Sequence, residues 1–329
     1  LIKPIPQNVK TPIMAFKDFQ STFVDVATAD LTSNGQIYGM PLYVDTLAMY
    51  YNKDTFNTAG ISSPPRTWED FVQDVAILTK RDDRNNITKS AVAIGTARNI
   101  NRSTDLLGLL MLQSGVRMTD GNNATFSKPV ENLNVGELAL QFYTDFANSG
   151  KPDRYTWNDQ QKYSIDAFAD GNTAMLFNYS HQIPIIRGKA PRLHFGIAPM
   201  PQPGQADRKV NYANYWAPTV SKQSRYGDDA WKFLVFLATD DTATLPYLQA
   251  SGRPAARKDL IEREKNDPDL GTFATQALTA FSWQQPDNVS VESIFAKLID
   301  DVNFNHASIH DSLQEAEAQV NVIMSKNRQ

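Results

Sequence analysis

His306 and His310 have a spacing that could serve metal chemistry, because residues four apart share one face of a helix. Such a pair binds zinc when further ligands lie nearby. The sequence indicates no third ligand beside these two imidazoles. The pattern therefore favours a solvent-exposed helix face, and we predict no metal site.

Asp45 and Glu292 are the two carboxylates that could work together, as the acid and base of a glycan hydrolase. The sequence does not fix their separation, so a hydrolase is the less favoured alternative. The chain also lacks the Gly-x-Ser-x-Gly, Walker, Gly-x-Gly-x-x-Gly and His-Glu-x-x-His motifs. With no cysteine, it has no thiol nucleophile, thiolate metal site or disulfide. We predict a protein that is not an enzyme and needs no cofactor.

Length and charge narrow the class of protein further. The chain has 329 residues, which favours two domains, and a formal charge of -4 without a long run of one sign, which argues against nucleic acid as a partner. No window reaches the roughly 18 apolar residues that a membrane span needs. The first residue is Leu1 and no signal segment precedes it, so we expect a processed or trimmed chain.

The elements that must position any site alternate between strands and helices. Two short apolar runs, Ile37 to Val44 and Leu47 to Tyr51, are rich in tyrosine and β-branched residues and predict strands. Thr67 opens an [ST]-x-x-[DE] helix start, and apolar residues then recur with helical spacing to Leu78. Mixed elements without internal repeats predict an α/β fold.

Five segments carry a resemblance to a known family. They are GQIYGMP from Gly35, LAMYYNKD from Leu47, PPRTWEDF from Pro64, FADGNTAM from Phe168 and AWKFL from Ala230. In this order they resemble the extracellular solute-binding proteins of ABC importers, in the group that includes maltose-binding protein. The resemblance covers nearly the whole chain.

The resemblance implies a two-lobe periplasmic-binding-protein fold, the type II clamshell, with hinge strands that cross between the lobes and a ligand held between them. Matching the hinge positions assigns residues 1–44 and 217–268 to the first lobe and residues 45–216 and 269–329 to the second. Relative to the family, roughly 60 residues, about two βα units, are missing before Leu1, so we expect an incomplete first lobe.

The same matching implies ligand-binding residues near the two hinges. Asp45 falls at the first crossing, where its carboxylate would accept hydrogen bonds from ligand hydroxyls; the alternative is that it only caps a turn. Tyr179 and His181 match a position where relatives carry a sugar-stacking aromatic, although Tyr179 could be an ordinary half-buried tyrosine. Trp216 lies at the second crossing and would face the ligand or pack into a lobe core.

Three further residues match looser family positions. Arg102 and Asp105 stand at the start of a buried helix whose N–H groups favour polar or anionic ligand atoms. Glu292 occupies a position near the start of a late helix where maltose-binding protein has a stacking aromatic. That difference argues against a maltose-like stacking site.

The function that the resemblance implies is capture of a carbohydrate or related polyol and its delivery to an ABC membrane permease. Within binding, the alternative is a non-sugar solute such as a glycerophosphodiester or an amine-bearing compound. The family implies an extracytoplasmic location, either periplasmic or as a cell-surface lipoprotein, and we expect a monomer.

Overall fold

A computed structural model describes residues 2–7 and 10–326 of the chain. The helices of the described residues are α1 Phe16–Thr22, α2 Asp25–Leu31, α3 Lys53–Thr58, α4 Trp68–Leu78, α5 Ser103–Gln113, α6 Val135–Asp145, α7 Ser164–Ala169, α8 Gln182–Lys189, α9 Gly227–Thr239, α10 Asp241–Ser251, α11 Lys258–Glu264, α12 Gly271–Ala277, α13 Asn288–Phe304 and α14 Ile309–Lys326. The strands are β1 Ile2–Lys3, β2 Thr32–Ser33, β3 Gln36–Ile37, β4 Asp45–Thr46, β5 Ala48–Asn52, β6 Lys80–Arg81, β7 Ile87–Val92, β8 Thr119–Asp120, β9 Asn123–Ala124, β10 Thr173–Asn178, β11 Phe195–Ala198, β12 Asn211–Asn214, β13 Val220–Ser221 and β14 Ala280–Phe281.

These elements form two compact units. Unit 1 contains the described residues up to Leu47, the short segment Tyr179–His181, and Ala213–Ser282. Unit 2 contains the remainder of the described chain, so the polypeptide enters and leaves each unit several times. The lobe boundaries expected from the sequence differ from these units at residues 45–47, 179–181, 213–216 and 269–282, and they stay a prediction. Among the described residues, no helix is both long and apolar enough to cross a bilayer.

Unit 2 is built on a five-stranded mixed sheet with the order β11-β5-β10-β7-β6. The central strand β10 is buried at every position, as its apolar sequence predicts, and it runs parallel to β7 and antiparallel to β5. Interior strands of this kind need apolar side chains on both faces because helices and loops cover both faces. The predicted strand at Leu47 to Tyr51 is confirmed by β5.

Helix α4 packs on this sheet and begins where the sequence predicts. The side chain of Thr67 accepts a hydrogen bond from the backbone N–H of Asp70 at 3.1 Å, which satisfies one of the free N–H groups of the first turn. Trp68 and Phe71 are buried, with ring centroids 5.1 Å apart in an edge-to-face arrangement. The helical periodicity of the sequence thus matches the buried face of the helix.

Unit 1 has only short strands, of two to four residues each, and its helices surround one hydrophobic core. Trp231 of α9 is fully buried there, and its indole N–H donates to the backbone oxygen of Lys3 at 3.1 Å. Phe19 and Phe23 pack beside each other with ring centroids 4.9 Å apart. Helix packing therefore supplies the core of this unit.

The predicted strand from Ile37 to Val44 is wrong beyond its first residue. Only Ile37 belongs to β3, and Tyr43 makes a single bridge to Ala255. Pro41 has no N–H to donate to a ladder, and the N–H of Met40 is bonded to the carbonyl of Pro218 at 3.1 Å. The apolar side chains of this segment are buried because it crosses the core of unit 1 as an extended loop.

Candidate functional site

Asp45 is a buried carboxylate whose hydrogen bonds all come from unit 1. It opens strand β4, where its backbone pairs with that of Asn214, and its side chain has no exposed surface. Oδ1 accepts from the backbone N–H of Thr46 at 3.0 Å, and Oδ2 accepts from the hydroxyl of Ser180 at 2.7 Å. The backbone N–H of Ser180 also lies 3.2 Å from Oδ1 and 3.1 Å from Oδ2. A buried carboxylate needs such donors because it has lost its hydration.

Arg253 supplies the counter-charge. Its Nη1 lies 3.0 Å from Oδ2 of Asp45, in an ion pair whose arginine side chain is 25% exposed while the aspartate is 0% exposed. Burial raises the pKa of Asp45 to about 6, and the hydrogen bonds from Ser180 and the charge of Arg253 oppose that rise. The carboxyl is therefore ionised above about pH 6 and protonated below it.

Arg253 reaches Asp45 because helix α10 ends just before it. Gly252 follows the helix with φ of 59°, a left-handed conformation that glycine adopts without steric cost, and Pro254 prevents the helix from continuing. The guanidinium carbon lies 5.1 Å from the ring centroid of Tyr43. This contact fixes the plane of the guanidinium group beside the carboxylate.

His181 joins the same group of residues through Arg253. The Nη1 atom of Arg253 lies 3.2 Å from Nδ1 of His181. A guanidinium can only donate, so the contact is a hydrogen bond when Nδ1 carries no proton. The ring of His181 stacks on that of Tyr179, with centroids 6.1 Å apart and planes 16° apart. We call Tyr43, Asp45, Tyr179, Ser180, His181 and Arg253 the Asp45 cluster.

The predicted site residues of unit 1 differ in the solvent exposure of their side chains. Tyr179 is 2% exposed and Asp45 is 0% exposed, so the carboxylate of Asp45 is enclosed. His181 is partly exposed. Trp216 is 78% exposed, which rules out the alternative that it packs into the core. Trp216 follows two residues after Asn214, whose backbone pairs with that of Asp45.

The other predicted site residues belong to unit 2. Arg102 precedes helix α5 in a left-handed conformation, with φ of 65°, and its Nη1 lies 3.9 Å from Oδ2 of Asp105. The two residues thus form an ion pair across the first turn of the helix. Glu292 is exposed in the first turns of α13, as the sequence predicts. The structure groups Asp45, Tyr179, His181 and Trp216 in unit 1, and ligand binding by all seven residues stays a prediction.

The histidine pair does not share a helix. His310 lies on α14, with its Nδ1 at 2.7 Å from Oε1 of Glu137, whereas His306 lies in the connection before that helix with φ of 50°. The prediction that both stand on one helix face is therefore wrong. Over residues 2–7 and 10–326 no three His, Cys, Asp or Glu side chains form a group that could hold a metal ion.

Sequence reasoning missed Arg253 and Ser180. A buried Asp45 requires a cation, but the chain has 32 lysines and arginines, and nothing local distinguishes Arg253 among them. The Gly252-Arg253-Pro254 segment was a signal for a helix end. It carries no information about which distant side chain the arginine meets.

The fold agrees with comparisons to known proteins. The profile of the bacterial extracellular solute-binding proteins matches residues 5–272. The chain is similar to a binding protein of Brucella abortus (strain 2308), with 22% identity over 99% of this chain and 78% of the relative.

Two crystal structures show the same fold. The cyclic alpha-maltosyl-1,6-maltose binding protein from Arthrobacter globiformis matches with a TM-score of 0.74 and 20% identity, over 94% of this chain and 78% of the other. UgpB from Mycobacterium tuberculosis, in complex with glycerophosphocholine, matches with a TM-score of 0.71 and 19% identity, over 96% and 80%. At these identities the likeness concerns the fold alone.

These matches confirm the family predicted from the sequence segments and the α/β fold class of two-lobe solute-binding proteins. The family consists of binding proteins, and its extracellular character agrees with the predicted extracytoplasmic location. A small-molecule solute is accordingly the partner of this protein. The chain belongs to the bacterial extracellular solute-binding protein family.

Proposed function

We propose that the protein captures a carbohydrate or related polyol and delivers it to an ABC membrane permease. The observation that carries this proposal is the exposed indole of Trp216, two residues beyond the strand residue that pairs with Asp45. An aromatic face buries the C–H face of a sugar, and neighbouring N–H groups donate to its hydroxyl oxygens. Trp216 and Arg253 together offer both kinds of contact on unit 1.

The comparison with the Arthrobacter globiformis protein supports a sugar, since that relative binds a cyclic maltosyl-maltose. The wider ligand-binding set that we propose is Asp45, Tyr179, His181 and Trp216 on unit 1 with Arg102, Asp105 and Glu292 on unit 2. Because Asp45 is enclosed, we assign it an indirect role: it holds Arg253 and Ser180 in place. Direct contact with the solute falls to the exposed members of the set.

We propose binding without covalent chemistry. A glycosidase carboxylate must present an oxygen to the bond that breaks. Both oxygens of Asp45 already accept hydrogen bonds from within unit 1, and the residue has no exposed surface. This arrangement argues against the hydrolase alternative built on Asp45 and Glu292.

A glycerophosphodiester or another amine-bearing solute is the second candidate. UgpB of Mycobacterium tuberculosis binds glycerophosphocholine, and an exposed indole such as Trp216 can also receive a quaternary ammonium group over its face. The candidate needs a partner for its phosphate as well. On unit 1 the guanidinium of Arg253 is already paired with Asp45.

A thermal-shift screen over malto-oligosaccharides, manno-oligosaccharides, polyols and glycerophosphocholine tests the proposal. A solute present at a hundred times its dissociation constant adds about 2.7 kcal/mol to the free energy of unfolding. We expect at least one neutral sugar or polyol to stabilise the protein and to remain chemically unchanged on chromatography after incubation. Stabilisation by glycerophosphocholine alone would favour the second candidate. Cleavage of the sugar would support the alternative that the protein is a hydrolase.

A further inference from the structure

The Asp45 cluster contains a full positive charge but is neutral as a whole. The guanidinium of Arg253 carries the positive charge, Asp45 is its negative partner at 3.0 Å, and Nδ1 of His181 contacts the guanidinium as the acceptor of an uncharged imidazole would. The other titratable members, Tyr43 and Tyr179, are phenols, which are uncharged near pH 7, and burial raises the pKa of Tyr43 further. The partly exposed guanidinium therefore offers N–H donors to a solute without offering net charge.

An anionic solute would have to compete with Asp45 for the guanidinium. Nη1 of Arg253 is shared between Asp45 and His181. If an anion drew Arg253 away, the carboxylate would be left without its cation in a position with no exposed surface. Leaving a buried charge without its partner costs more free energy than one new charge-assisted hydrogen bond contributes. A neutral hydroxyl can accept from the outer N–H groups while the ion pair stays intact.

We propose that Asp45 is an internal counter-anion that makes Arg253 select neutral polyhydroxylated solutes and reject phosphate-bearing ones. This inference rests on the proposed function, because it assigns the class of solute that the same surface of unit 1 accepts. It makes Asp45 and Arg253 a selectivity-determining pair. Nothing in the residue types alone distinguishes this pair from an ordinary structural ion pair, so the test must measure anion binding.

The test compares Asp45→Asn with the unchanged protein, using inorganic phosphate as the probe in calorimetry at low ionic strength. The amide keeps the size of the side chain but removes its charge. We expect no saturable phosphate binding by the unchanged protein. Asp45→Asn should bind phosphate saturably, with an affinity on the order of 100-fold above the upper limit measured for the unchanged protein, because no buried charge is then left unpaired. Adding Arg253→Met to this variant should abolish the new binding.

Asp30→Asn is the matched control. Asp30 is also a carboxylate of unit 1, and it accepts from the hydroxyls of Tyr215 and Ser282, whereas no arginine or lysine contact influences its pKa. This variant changes the net charge by the same amount without releasing a guanidinium. It should therefore bind phosphate no better than the unchanged protein.

Two results would overturn the inference. One is a folded Asp45→Asn variant, judged by circular dichroism, that binds phosphate no more tightly than Asp30→Asn. The other needs no Asp45 variant: saturable phosphate binding by the unchanged protein that disappears in Arg253→Met. The sugar screen decides the proposed function separately, so sugar binding without a gain in phosphate affinity refutes only the counter-anion role.

Discussion

Ser180 contacts both carboxylate oxygens of Asp45, although 135 positions separate the two residues in the sequence. The contact explains why the segment Tyr179–His181 belongs to unit 1 while the residues on both sides of it belong to unit 2. Two donors of Ser180, its backbone N–H and its hydroxyl, make three contacts with the carboxylate and tie this short segment to unit 1. Ser180 therefore holds the segment Tyr179–His181 in unit 1.

Ser180→Ala should lower the free energy of unfolding by about 1–3 kcal/mol, because it removes the hydroxyl donor from a buried carboxylate. Urea denaturation measures the change. Ser21→Ala is a suitable control, since the Ser21 hydroxyl bonds an exposed backbone oxygen, and it should shift the value by less than about 0.5 kcal/mol. Equal effects of the two variants would contradict the anchoring role.

Arg253→Met should destabilise the protein by about 3–5 kcal/mol at pH 7, because the buried carboxylate of Asp45 loses its cation. The defect should shrink at pH 4, where the carboxyl takes up a proton and no longer needs that cation. Arg263→Met is the matched control: its ion pairs with Asp241 and Asp259 are largely exposed, so a change within about 1 kcal/mol is expected. A pH-independent loss in Arg253→Met would mean that packing against Tyr43, rather than charge, explains the effect.

The contribution of Asp45 to stability should fall as the pH rises from about 4 to about 6. The pKa of Asp45 in the native state is raised to about 6, above its value in the unfolded chain, so the native state holds a proton that the unfolded state has lost. The stabilising contribution is complete below the unfolded pKa and is lost as the pH passes the native pKa. The slope for one such group is at most about 1.4 kcal/mol per pH unit.

Asp74 contributes a slope of the same sign, because burial and Asp70 raise its pKa to about 6. Comparison with Asp45→Asn therefore isolates the slope that comes from Asp45. Denaturant titrations of both proteins from pH 4 to pH 7 provide the difference. A difference curve that is flat, or that rises with pH, would show that Arg253 and Ser180 outweigh burial and hold the native pKa of Asp45 at or below its unfolded value.

Trp216→Ala should leave the free energy of unfolding within about 0.5 kcal/mol of the original, because the indole is 78% exposed. Its affinity for a sugar identified in the screen should fall at least about tenfold, since the stacking face is lost. Trp231→Ala provides the contrast: that indole is fully buried, and about 3–5 kcal/mol of stability should be lost. Unchanged sugar affinity in Trp216→Ala would remove Trp216 from the site.

The sequence alone determined the local elements and the family. The Thr67 helix start, the apolar run of β10 and the five family segments are encoded by neighbouring residues, and neighbouring residues decide capping, periodicity and turn chemistry. The same local reasoning failed for the segment from Ile37 to Val44, because apolar residues mark burial but do not reveal whether a partner strand is available.

Only the tertiary structure decided the character of the site. The sequence located Asp45 at the end of an apolar run, but Ser180 and Arg253, which lie 135 and 208 positions away, decide that its carboxylate is enclosed and paired. Trp216 and Trp231 are the same residue type on the same unit, yet one is exposed and the other is fully buried. Burial and ion pairing depend on which distant segments the folded chain brings together, and a single sequence contains no local signal for that choice.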